Sequence, residues 1–164
     1  MRPKNPPCII DIEASGFGPS GYPIEVGVAL SSGEQYCSLI YPSPEWTFWD
    51  DEAEKIHRVP RDILETYGKP LGEVADNLNS LLENQTVYSD GWVVDNPWVL
   101  QLFDKARVPL RFNVSALEMI LTEGQMEIWH EAKGKILEEV GLKRHRASMD
   151  AIIIQKTYVS TYEA

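Results

Sequence analysis

The stretch CIIDIEASGFG, residues 8–18, sets two carboxylates, Asp11 and Glu13, into an otherwise apolar run. In a β-strand, side chains i and i+2 share a face. These two acids therefore point together, and Ile10 and Ile12 point the other way. Burying an ionised carboxylate without a partner is costly, and a second beside it adds like-charge repulsion. The pair either faces solvent on an edge strand or is compensated by a cation, and the strand itself contains no basic residue. The turn that follows, Ala14-Ser15-Gly16-Phe17-Gly18, carries glycines of the kind that let backbone approach a ligand. Asp95 stands near the start of an apolar-faced helix, where capping is an ordinary role for Asp. Near the C-terminus, KRHRASMDAIII places His145 five residues before Asp150. If the last helix starts near Arg146, the histidine lies in the preceding loop and the aspartate in the second turn. Such a pair, taken alone, reads equally well as a surface hydrogen bond.

These residues must be positioned by the elements around them. PPCIIDIE reads as a first strand, residues 24–30 as a second and 35–40 as a third, with a hairpin-like Ser31-Ser32-Gly33-Glu34 break between the last two. Leu71, Val74, Ala75, Leu78, Leu81 and Leu82 recur at helical spacing. QTVYS is a short strand. Trp98, Val99, Leu102, Phe103 and Ala106 predict a helix beginning near Asp95. A weaker strand follows at 111–114, and helices are predicted around 126–140 and 147–162. Strands first, then strands alternating with helices, predict an α/β protein with a mixed sheet and helices packed on it. No repeat, low-complexity tract or long linker divides the 164 residues, a length suited to one domain.

In order along the chain, the D-x-E strand with its Ser-Gly-Phe turn, a later Asp opening a helix, and a final H-x4-D resemble the DEDDh (DnaQ-like) group of 3′–5′ exonucleases. YPIEVGVAL is similar to that family's second strand and AEKIHRVPRDIL to its segment between the first two catalytic motifs. The resemblance implies a ribonuclease-H-like mixed β-sheet flanked by α-helices, in a single domain over residues 1–164. It implies that Asp11, Glu13, Asp95 and Asp150 hold two divalent ions, Mg²⁺ or Mn²⁺, and that His145 is the general base. Ala14, Ser15 and Gly16 would bring backbone to the terminal sugar. Phe17 would wedge between terminal bases, or else plug the core beneath the turn. His57 would contact substrate or serve the structure. Two departures stand out. Asp90-Gly91 occupies the place where relatives often carry His-Asn, which makes Asp90 a competitor of Asp95 for the third carboxylate, and Arg58 follows His57 where relatives carry glycine. Trp98 is expected in the core, Trp92 is a candidate cleft residue, and Trp46 and Trp49 are candidates for exposed contacts or a subunit interface.

Two divalent ions suit hydrolysis of a phosphodiester because charge develops on both the attacking and the leaving oxygen. Hard ions prefer oxygen donors, which carboxylates supply. A histidine with an ordinary pKa near ~6.5 can take a proton from water at neutral pH.

The bulk composition narrows the substrate. With 43% hydrophobic and 24% charged residues the chain reads as globular. Its net charge of −10 argues against a broad basic surface for long duplexes and favours short or single-stranded RNA or DNA. Cys8 and Cys37 are expected as two buried, reduced thiols. No stretch approaches the ~20 apolar residues of a membrane span and the start has no secretory signal pattern, so no membrane partner is expected and the expected compartment is the cytoplasm. The resemblance makes a homodimer the expected assembly. Two other readings share the fold class: a nucleic-acid-binding or regulatory module with little catalysis, and an endonuclease of the ribonuclease H type.

Overall fold

A computed structural model describes residues 5–141 and 146–164. Its centre is a five-stranded sheet in the order β3-β2-β1-β4-β5, built from β1 (Cys8–Ala14), β2 (Pro23–Ala29), β3 (Gln35–Leu39), β4 (Thr86–Ser89) and β5 (Asn113–Ala116). β1 pairs antiparallel with β2 and parallel with β4, so the mixed sheet changes sense at β1. Among the described residues the α-helices are α1 (Asp51–His57), α2 (Arg61–Tyr67), α3 (Leu71–Leu82), α4 (Trp92–Ala106), α5 (Glu123–Val140) and α6 (Ala147–Thr161).

Strand alternation divides the core in two. Ile10, Ile12, Val26 and Val28 join the larger cluster, with Val74, Leu78 and Leu82 of α3 and Val99, Leu102 and Phe103 of α4. On the opposite face Ile9 and Ala29 pack with Leu117, Ala151 and Ile154, which brings α6 across β1 and β2. β2 is buried along its whole length, as expected of a strand covered on both faces. α5 opens with a capping box in which Thr122 Oγ1 accepts the Gln125 N–H and Gln125 Oε1 accepts the Thr122 N–H, both at 3.1 Å.

Several expectations need correction. Residues 51–67 form two seven-residue helices that had not been anticipated, since elements this short display little periodicity. α1 is set instead by local caps: Asp50 accepts the Glu52 N–H at 2.9 Å, and Arg58 closes the helix in the left-handed conformation at φ 57°. That conformation is the one glycine adopts without strain. Trp46 is buried, stacked on Tyr22 with ring centroids 5.4 Å apart. Trp49 is half-buried against the core, so neither tryptophan offers the open surface expected of it. Both thiols are free, but only Cys8 is buried and Cys37 is exposed. α4 begins at Trp92, three residues before the expected start, because the Asp95 N–H already donates to Gly91 O within the helix at 2.9 Å. β5 lies at Asn113–Ala116, two residues beyond the expected strand. Trp98 is in the core as expected, and Trp92 is exposed with its indole N–H on Val114 O at 2.9 Å.

Candidate metal centre

The second half of β1 delivers Asp11 and Glu13 to the face that α6 covers. In the ladder Asp11 lies opposite Gly27 and Glu13 opposite Glu25. Ile9, earlier on the same face, is packed under α6, while the two acids stand where that packing ends. Asp95 comes from the first turn of α4, just past the carboxyl end of β4. It is buried, and its side chain does not cap the helix: Oδ2 accepts the Ser89 hydroxyl at 2.6 Å, and the carboxylate also accepts a backbone hydrogen bond from Ile12. Asp150 sits in the first turn of α6 and hydrogen-bonds Glu13.

The result is two overlapping trios. Oxygens of Asp11, Glu13 and Asp150 lie within 4.8 Å of one another, and so do oxygens of Asp11, Asp90 and Asp95. Asp11 belongs to both. Asp90 and Asp95, competitors in the sequence, are both present, with Asp90 on the exposed edge and Asp95 buried.

The electrostatics follow from this crowding. Burial, then the charges of Asp95, Glu13, Asp150 and Asp90, holds the Asp11 carboxyl well above the usual range. Glu13 is pushed up to about 8 by burial first and by Asp150, Glu25 and Asp95 next. Burial also raises Asp95, to about 7, against the lowering effect of its bonds to Ser89 and Ile12. Such a group cannot carry its full negative charge near neutral pH without a cation. The donors are all carboxylate oxygens, the set that hard divalent ions prefer.

Glu25 was not singled out in the sequence, although the PIEVGVA strand contains it. It is fully buried, and it seats the start of α6: Oε1 accepts the Ala147 N–H at 2.6 Å and Oε2 pairs with Arg146 Nη2 at 2.8 Å. The carboxylate thereby satisfies one of the orphan donors at the helix N-terminus and complements its dipole. Gly27, two residues on, permits the close approach, since a Cβ there would lie 2.1 Å from Ala147 C and Ser148 N. The available signal was a charged residue in an otherwise apolar strand, the same oddity that marked Asp11.

The remaining candidates divide. Phe17 is 70% exposed, so it is not a plug beneath the turn. Ser15 is fully buried and committed to the turn: its N–H donates to Tyr22 O at 2.9 Å, its hydroxyl accepts the Tyr22 N–H at 3.1 Å, and its carbonyl accepts the Asp50 N–H at 2.9 Å. Ala14 ends β1 beside it, and Gly16 admits the ring of Phe48, which a Cβ would meet at 2.6 Å. His57 is buried edge-on to Trp49, and its Nδ1 accepts the Val59 N–H at 3.0 Å. Nε2 therefore carries the proton, and it has no acceptor among the described residues. Burial lowers the His57 pKa. His145 lies outside the described residues.

No protein-family model and no curated protein matches the chain. Solved structures do. E. coli exonuclease I bound to a dA16 oligonucleotide superposes with a TM-score of 0.69 at 12% identity, over 95% of this chain and 41% of that one. A structure of exonuclease I described as suggesting how processivity is achieved gives 0.66 at 12% identity, with the same coverages of 95% and 41%. The zinc-bound E. coli exonuclease I complex with single-stranded DNA gives 0.65 at 12%, over 93% and 40%. The chain thus spans about two fifths of the length of these proteins. At this identity the likeness is one of fold, and the fold is ribonuclease-H-like.

Proposed function

We propose that this chain is a two-metal 3′–5′ exonuclease that hydrolyses phosphodiester bonds at the 3′ ends of single-stranded or short nucleic acids and releases nucleoside 5′-monophosphates. The observation that carries this reading is the position of Asp11, shared between two carboxylate trios, because one bridging acid between two oxygen-rich sites suits a pair of divalent ions.

Asp11, Glu13, Asp95 and Asp150 would hold Mg²⁺ or Mn²⁺, with Asp90 at the outer edge. When bound, the ions supply Lewis acidity at the attacking and leaving oxygens and make water easier to deprotonate. The chain's own residues do the rest. The Ser89 hydroxyl fixes Asp95, and Glu25 fixes the helix that carries Asp150. His145, directly before Arg146 in sequence, takes the proton from the attacking water as general base. The exposed Phe17 ring stacks on or wedges between terminal bases, a contact any base can make. The buried His57 N–H, unpaired within the described protein, suits an internal water. An acidic chain that neutralises few phosphates favours short or frayed substrates over long duplexes. The single-stranded DNA in the exonuclease I complexes supports the same substrate class.

The test is incubation with 5′-labelled RNA and DNA oligomers in Mn²⁺, Mg²⁺ or EDTA, with Asp11→Asn and His145→Ala alongside. The expected result is a metal-dependent ladder shortening from the 3′ end and lost in both variants. Internal cuts would replace this reading with the endonuclease, and metal binding without cleavage would replace it with a binding module.

A further inference from the structure

A second cleft opens beside the acidic one. The first, about 290 Å³, is lined by Asp11, Asp90 and Asp150 together with Lys133 of α5. The second, about 280 Å³, shares Asp90 and Lys133 and continues along α5 over Leu117, Leu121, Met126 and Trp129. Volumes this small suit one nucleotide each rather than a larger ligand.

We propose that the second cleft binds the nucleotide on the 5′ side of the scissile phosphate, with Lys133 on its phosphate and Trp129 against its base. The proposal rests on the exonuclease reading and adds a subsite to it.

Three observations carry it. Lys133 is the cation among the described residues lining the acidic cleft, and its present partner is weak: Nζ stands 3.5 Å from Asp90, with both side chains about one third exposed. An ion pair that open contributes little, so a phosphate can replace Asp90 at small cost. Trp129 is half-buried against the Ile9, Ala29 and Leu117 cluster, which holds its ring as a rigid wall, while the exposed Met126 supplies an adaptable one. Asp90, Glu118 and His130 also line the cleft; the Trp129 wall and the Lys133 ammonium are the two features that match a ligand flat at one end and anionic at the other. Sheet order sets the direction. The Ser15-Gly16-Phe17 turn leads from β1 to β2 on one side of the acidic group, and the α5 cleft lies on the other, past Asp90 at the end of β4 and over Leu117 at the end of β5. A terminal nucleotide held at the turn thus directs the next one toward α5.

Two substrates separate the subsites. The p-nitrophenyl ester of thymidine 5′-monophosphate has the terminal nucleoside and the scissile phosphate but no nucleotide on the 5′ side, whereas a single-stranded tetramer has both. Stacking on an aromatic ring is worth roughly 1–3 kcal/mol per base. Lys133→Met and Trp129→Ala are therefore expected to lower kcat/KM for the tetramer about tenfold more than for the ester. Lys133→Met should also reduce the log–log salt slope of tetramer KM by about 0.7. Trp129→Phe and Lys133→Arg should restore most of the loss, which guards against a Trp129→Ala variant that merely misfolds. Parallel loss on both substrates, or no loss on either, overturns the subsite while leaving the exonuclease intact. A wild-type chain that cleaves neither substrate overturns both.

Discussion

The two faces of β1 have the same backbone and opposite chemistry. Ile10 and Ile12 face α3 and α4 in the larger apolar cluster, whereas Asp11 and Glu13 face the edge of α6, where carboxylates from α6, α4 and the turn before α4 meet them. One face stabilises the fold by removing apolar area from water. The other destabilises it, because burial and mutual repulsion raise the pKa values of its acids. Residues one position apart should therefore respond to mutation in opposite ways.

The sharpest test is on the acidic face. Asp11→Asn should reduce exonuclease activity on the order of 10³-fold or more, since Asp11 alone serves both trios. It should also raise the Tm of the metal-free protein, because it relieves repulsion at Glu13, Asp95 and Asp150. A loss of stability would break the comparison. On the opposite face, Ile10→Ala should cost about 2–5 kcal/mol in denaturant unfolding. Whatever protein remains folded should retain most of its specific activity and its metal affinity.

Glu25 lies between the two regimes, a buried charge used to hold a helix. Glu25→Ala leaves the Ala147 N–H and the Arg146 guanidinium without their partner, a loss of roughly 1–3 kcal/mol. Cleavage should fall with it as Asp150 loses its fixed position. Glu25→Gln retains an acceptor for Ala147 and should recover most of the rate. Equal rates in the Ala and Gln variants would mean that this hydrogen bond does not set the site.

The last effect is on pH. A carboxyl group whose folded pKa lies above its unfolded value binds more protons in the folded state, so stability falls as pH rises between the two values. With Glu13 at about 8 and Asp95 at about 7, the Tm in EDTA should drop steadily from about pH 5 to about pH 8. Mg²⁺ or Mn²⁺ should flatten that slope, with its largest stabilisation at the high end, where the ligands are ionised. Differential scanning calorimetry across that range would read both.

Much of this arrangement was legible before any coordinates. The alternation of CIIDIEA implied that the acids share one face and the isoleucines the other, and the ladder has that register. The α3 repeat was likewise readable from spacing, and the last helix lies close to its expected span. Where the reading fell short, the missing information was either aperiodic or distant in sequence. Residues 51–67 hold two helices too short for a period to emerge, the first of them set by caps at Asp50 and Arg58. Trp46 lies in a Pro-bearing loop that suggests exposure, yet Tyr22, 24 residues earlier, stacks on it.

The sequence by itself determined the pairing of Asp11 with Glu13 and their opposition to Ile10 and Ile12, because a strand's two-residue period is a property of the backbone. Only the tertiary structure decided that Asp90 and Asp95 both reach Asp11, that Ser89 rather than a helix N-terminus claims the Asp95 carboxylate, and that Glu25 anchors a helix 122 residues away. Those outcomes depend on how the ends of β1, β4, α4 and α6 converge. No periodicity encodes that convergence, since it is set by the packing of α4 and α6 against opposite faces of one sheet.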